Sequence, residues 1–242
     1  ALCAWLLIRS HRTKPEEKAS AEELPVIKAE TPDEVLCVCI GEVCTTMEQV
    51  TRIYNRTLVA VFKENRKVLR DMVKESNDLF YQSRERKYTL LPTLKKLQSG
   101  DVNTAHYYVQ VVDYLSEVTK ALIHITRPAF GHIDNNHEGL SKEQIVDLMR
   151  VNDQVEAIFD KINDMLRTKD FSDLDMVLEM RDKLFDTIVE AIKNQLRRIN
   201  GDPAASTRAS VLYLTILNET KTMILQARNL LKSQHYFLES RK

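Results

Sequence analysis

An eight-residue segment occurs twice in this chain, 104 positions apart, and the repeat limits the folds that the chain can adopt. Residues 71–78 read DMVKESND and residues 175–182 read DMVLEMRD, which agree at five of the eight positions. A Gly-Asp pair follows each copy, at Gly100 and at Gly201. Self-similarity at a fixed offset indicates a duplicated structural unit. We therefore predict two copies of one unit within the 242 residues.

The spacing of apolar residues predicts that each unit contains three helices. Between residues 102 and 126, apolar side chains recur every three or four positions, which places them on one face of a helix. Similar patterns predict helices over 33–65, 66–98, 141–167, 172–200 and 206–238. Ser141 and Gln144 have the spacing of a capping box. Pro128 predicts the end of the third helix near Thr126, because proline disfavours helical geometry in the residue before it.

Composition and charge narrow the fold and exclude one class of partner. Only 5 Gly and 6 Pro are present, which is few for a β-protein rich in turns. We therefore predict an all-α fold in which two tandem three-helix units form a six-helix bundle and bury their apolar faces against each other. Basic and acidic residues number 35 each, so no overall positive field favours nucleic acid.

The N-terminal segment predicts attachment to a membrane. Residues 1–8 are apolar and basic residues follow them directly, as at the cytoplasmic end of a transmembrane helix. We assign residues 1–12 to that helix end and its basic flank, and residues 13–32, which contain three prolines, to a linker. The first unit is then 33–130, the connecting segment 131–140 and the second unit 141–242.

Three segments resemble the PhoU-like family, and the resemblance covers about residues 34–238. They are HYYVQVVDYLSE at 106–117, HIDNNHEGL at 132–140 and NETKTM at 218–223. The similarity is strongest to the C-terminal domain of an extended bacterial inorganic phosphate transporter, of the Pit or Na/Pi cotransporter type. It implies a regulatory domain that is not an enzyme and faces the cytoplasm at the cell inner membrane. The implied partners are phosphate and the transporter membrane domain in the same chain, with a homodimer left open.

The resemblance also implies a metal site. PhoU-like domains carry an acidic motif, E(D)xxxD, that binds metal clusters, and Asp113-x-x-x-Glu117 matches its spacing with the acid types exchanged. In the second unit, at an offset of 102, the equivalent positions are Thr215 and Glu219, so one carboxylate is missing. The expected cofactor is a divalent or ferric metal ion, its identity left open. The alternative is a solvated polar face, because Lys120 lies in the same stripe.

Two further groups could bind metal or have only a structural role. Acidic residues one turn apart recur in the two middle helices: Glu75, Asp78, Glu179 and Asp182. Either these carboxylates form a metal-binding face on each unit, or they are exposed to solvent and balance the charge of nearby basic residues. His132, Asp134 and His137 are potential transition-metal ligands, or they stabilise the local backbone between the units.

Two other functions compete with the regulatory one. A helical interaction module of another membrane protein would need no ligand. A di-metal oxidase in a helix bundle would need Glu-x-x-His on two helices, and no Glu stands three residues before any of the six histidines. No Gly-rich phosphate loop or nucleotide motif is present in the sequence.

Overall fold

The computed structural model describes residues 32–96, 102–201 and 207–239, and over these ranges the chain forms six α-helices and no strand. The helices are α1 Pro32–Phe62, α2 Arg66–Lys96, α3 Val102–Asp134, α4 Lys142–Thr168, α5 Leu174–Gly201 and α6 Thr207–Glu239. The predicted all-α fold is confirmed. Five of the six helices match their predicted ranges to within a few residues, and α3 is longer than predicted.

Four of the helices form the centre of the bundle. Helix α1 packs against α3 and α4, while α6 packs against α3 and α4, so these four enclose the middle of the molecule. Within the described residues, α2 contacts only α1 and α3, and α5 contacts only α4 and α6. The two helices that carry the repeated octapeptide therefore occupy equivalent outer positions.

One apolar core runs through the bundle and includes side chains from all six helices. Buried hydroxyl groups within it are paired across helices. The Tyr54 hydroxyl on α1 lies 2.9 Å from the Thr220 hydroxyl on α6, and Ser76 Oγ on α2 lies 2.8 Å from Thr126 Oγ1 on α3. Each pair satisfies polar groups that would be costly to bury alone.

The end of α3 differs from the prediction. Pro128 lies inside the helix, which continues to Asp134. Proline removes one backbone hydrogen bond, but the residues beyond it, Ala129 and Ile133, are buried in the core. Packing of this last segment therefore outweighs the missing bond. After the helix ends at Asp134, Asn136 has a left-handed φ of 52°, and the His137 amide donates to the His132 carbonyl as in a Schellman motif.

The first residues of α4 and α1 stabilise the N-termini of these helices. The capping box at Ser141 and Gln144 is present and opens α4, as predicted. Pro32, which we assigned to the linker, is instead the first residue of α1. Proline is favourable there because the amides of the first turn need no intrahelical partner.

The predicted membrane helix end at 1–12 and residues 13–31 of the predicted linker lie outside the described residues. Within the described ranges, no helix is both long and apolar enough to cross a membrane.

Candidate functional site

The Asp113 and Glu117 carboxylates lie one turn apart on α3, and both are partly exposed. Each has a basic partner. Lys87 on α2 places its Nζ 2.8 Å from Asp113, and Lys120 places its Nζ 3.4 Å from Glu117. A cation at this pair would have to displace at least one ammonium group, which weakens any metal affinity.

The predicted acids of α2, Glu75 and Asp78, lie too far away to complete that site. Helices α2 and α3 are antiparallel, since Ser76 meets Thr126 while Lys87 meets Asp113. Glu75 is twelve residues from Lys87, a separation of roughly 18 Å along the helix axis. The carboxylate of Glu75 accepts instead from the Arg52 guanidinium on α1, at 2.6 Å. Asp78 is exposed on the same helix.

The remaining predicted acids of the second unit are also separated from one another. Asp182 is paired with Arg181 at 2.6 Å, and Glu179 is exposed on α5. Glu219 on α6 lies 3.5 Å from His124 Nδ1 on α3. Among the described residues, no group of three or more His, Cys, Asp or Glu side chains is arranged to hold a metal ion.

The three predicted metal ligands near the end of α3, His132, Asp134 and His137, each contact a different partner. His132 is buried, and its Nε2 donates to the Glu138 carbonyl at 2.7 Å. Asp134 pairs with Arg66 at 3.4 Å. The unprotonated Nε2 of His137 accepts from Arg208 at 2.7 Å. These contacts favour the structural reading, in which the three residues hold the α3 terminus in place.

Charge at His137 supports the same reading. Desolvation and then the positive charges of Arg208 and His132 lower the pKa of the His137 imidazole. The neutral ring is the form that can accept a hydrogen bond from the Arg208 guanidinium. His137 is therefore held in place by α6 rather than left open for a ligand.

The structure draws attention to two acids that sequence reasoning missed. At the repeat offset of 104, Arg52 and Arg56 of the first unit correspond to Glu156 and Asp160 of the second. Both carboxylates are exposed on α4, and no ion pair is found for either within the described ranges. Asn55 donates to Glu156 at 3.3 Å. Glu156-x-x-x-Asp160 also matches the acidic motif without exchange, a signal that scanning the whole sequence for the motif would have found.

Solved structures of PhoU proteins resemble this chain over almost their whole length. PhoU from Pseudomonas aeruginosa superimposes with a TM-score of 0.73 at 14% identity, covering 87% of this chain and 100% of that one. The phosphate transport system regulatory protein PhoU from Streptococcus pneumoniae gives 0.70 at 11% identity, covering 87% and 98%. Neither protein-family models nor curated protein sequences give a match. The chain therefore has the PhoU-like fold, an all-α bundle of six helices.

Proposed function

We propose that this chain is a regulatory domain of inorganic phosphate transport. The observation that carries the proposal is the end-to-end fold similarity to two PhoU proteins, one of them described as a phosphate transport system regulatory protein. The apolar segment followed by basic residues at the N-terminus supports attachment to the transporter membrane domain in the same chain. In that arrangement the helical bundle lies on the cytoplasmic side of the cell inner membrane and modulates transport from there.

Phosphate uptake by cells that carry the intact gene provides the test. We expect that deletion of residues 32–239 from the gene product changes the ratio of uptake rates measured in low and in high external phosphate. The variant Leu115→Asp, which disrupts the core, should reproduce the deletion, while Lys183→Ala, at an exposed position of α5, should behave as wild type. Uptake that responds to phosphate equally in all four strains would exclude the regulatory role.

A ligand-free interaction module is the second candidate, and one observation favours it. Most of the predicted metal-binding acids already have basic partners, as in the Lys87 pair with Asp113. In this case the bundle would act through helix surfaces alone, and the metal titration below would show no binding.

We predict that Asp113 and Glu117 bind a divalent or ferric cation weakly. Two carboxylates provide too few ligands for a hard cation, so water or phosphate must complete the shell. Calorimetric titration with Mn²⁺, Fe³⁺ and Zn²⁺ should show modest affinity that weakens in acid, because carboxylate ligands must lose their protons to bind a metal. The double variant Asp113→Asn/Glu117→Gln should abolish it.

The matched control for the metal prediction is Glu156→Gln/Asp160→Asn on α4, which should leave binding unchanged. If binding is lost in the α4 variant and kept in the α3 variant, the metal lies on the second unit instead. If none of the proteins binds metal, the interaction module is the better description.

A further inference from the structure

A cleft between the beginning of α3 and the end of α6 has no role in the function proposed above. It has a volume of about 370 Å³ and lies between residues that are more than 120 positions apart in sequence, such as Gln110 and Ser233. The volume falls within the range of roughly 300–1,000 Å³ that is typical of small-molecule sites. Among the described residues that line it, none is acidic.

The buried side of the cleft is aromatic. The rings of Tyr107 and Phe237 stack with centroids 4.4 Å apart and planes 14° apart, and both side chains are buried. Tyr236 lines the same cleft and is 63% exposed, so its ring is accessible from solvent. Flat aromatic surfaces of this kind favour a ligand with a planar ring.

The amide side chains in the cleft present donors to it. Gln110 Oε1 accepts a hydrogen bond from the Ser233 hydroxyl, and Asn229 Oδ1 accepts from Arg228 Nη1 at 2.7 Å. Each of these carbonyl oxygens has a donor within the protein, whereas no hydrogen bond within the described residues is found for either NH₂ group, so the N–H groups are the ones available to a ligand. A ligand that satisfies them must offer acceptor atoms.

Lys232 adds a positive charge to these donors. Lys232 lines the cleft, and within the described part of the chain no carboxylate lies within ion-pair distance of its ammonium group. His106 lines the opposite wall, on α3. An ammonium group and several N–H donors without a facing carboxylate are the arrangement that recognises an oxyanion.

We propose that this cleft binds a nucleoside monophosphate, a ligand that combines a planar ring with a phosphate group. The phosphate accepts hydrogen bonds from Lys232 and from the amides of Gln110 and Asn229. The base packs against the exposed ring of Tyr236. The inference rests on the cleft alone and does not depend on the role in phosphate transport.

Calorimetric titration of the purified protein with AMP, adenosine and orthophosphate tests the proposal. We expect AMP to bind at least about tenfold more tightly than either fragment, because each fragment makes only part of the contacts. Lys232→Gln should weaken AMP binding about tenfold to a hundredfold, the range for loss of one charge-assisted hydrogen bond. Tyr236→Ala should weaken it about tenfold through lost stacking.

Lys183→Gln is the matched control, since Lys183 is exposed on α5 away from the cleft and its loss should leave the AMP affinity unchanged. Thermal unfolding of each variant establishes that it is folded. The proposal is overturned if AMP fails to bind into the millimolar range, or if Lys232→Gln binds AMP as tightly as wild type. Orthophosphate binding as tight as that of AMP would likewise overturn the assignment of a ring-bearing ligand.

Discussion

Replacing Leu115 with Asp should lower the free energy of unfolding by about 4 kcal/mol. Leu115 is only 2% exposed, and it lies in the middle of α3, the helix that contacts α1, α2 and α6. A carboxylate at this position loses its hydration among apolar side chains of the core. Urea denaturation followed by circular dichroism measures the loss as a lower midpoint.

Lys120→Ala is the control on the opposite face of the same helix. Its ammonium is about half exposed and forms a surface pair with Glu117, a kind of interaction that contributes less than about 1 kcal/mol. We expect its unfolding midpoint to be close to that of wild type. Equal midpoints for the two variants would contradict the assignment of Leu115 to the core.

Replacing Tyr54 with Ala should lower the free energy of unfolding by about 4 kcal/mol, the typical cost of removing a large buried ring. Tyr54 is 1% exposed, and its hydroxyl pairs with that of Thr220 on α6, so it links the first and last helices. Tyr54→Phe keeps the ring and loses only the hydrogen bond. Since Thr220 also donates to the Ile216 carbonyl at 2.7 Å, we expect this change to cost only about 1 kcal/mol.

Tyr88→Ala provides the comparison for Tyr54, because Tyr88 is 63% exposed on α2. Its removal should change the free energy of unfolding by less than about 0.5 kcal/mol. The difference between Tyr54→Phe and Tyr54→Ala separates the hydrogen bond from ring packing. Should Tyr54→Ala and Tyr88→Ala unfold at the same urea concentration, Tyr54 would not contribute to the core as described.

Local patterns were sufficient to predict the helices and their buried faces. Apolar spacing placed Leu115 on the buried face of α3, and the capping box placed the start of α4 at Ser141. These predictions succeed because helix periodicity and capping involve residues within one or two turns of each other. The prediction at Pro128 failed because burial of Ala129 and Ile133, which a local rule does not include, outweighs the lost hydrogen bond.

Which side chains meet at a site depends on contacts between helices, and the spacing of residues along one helix does not predict those contacts. Sequence spacing brought Asp113 and Glu117 to one side of α3, but only the structure shows that Lys87 from α2 neutralises Asp113. The structure also shows that Glu75 lies far from Asp113 and Glu117, because the register between the antiparallel helices α2 and α3 decides which side chains meet. Partners on different helices are set by packing and not by spacing along the chain.

By itself, therefore, the sequence determined the all-α class, the repeat and the faces that each helix buries. Those properties follow from residues that are close together in the chain. Only the tertiary structure decided which charges are paired and that α3 and α6 form a donor-rich cleft around Lys232. Such features arise where helices far apart in sequence pack side by side, and their geometry depends on the shape of the whole core.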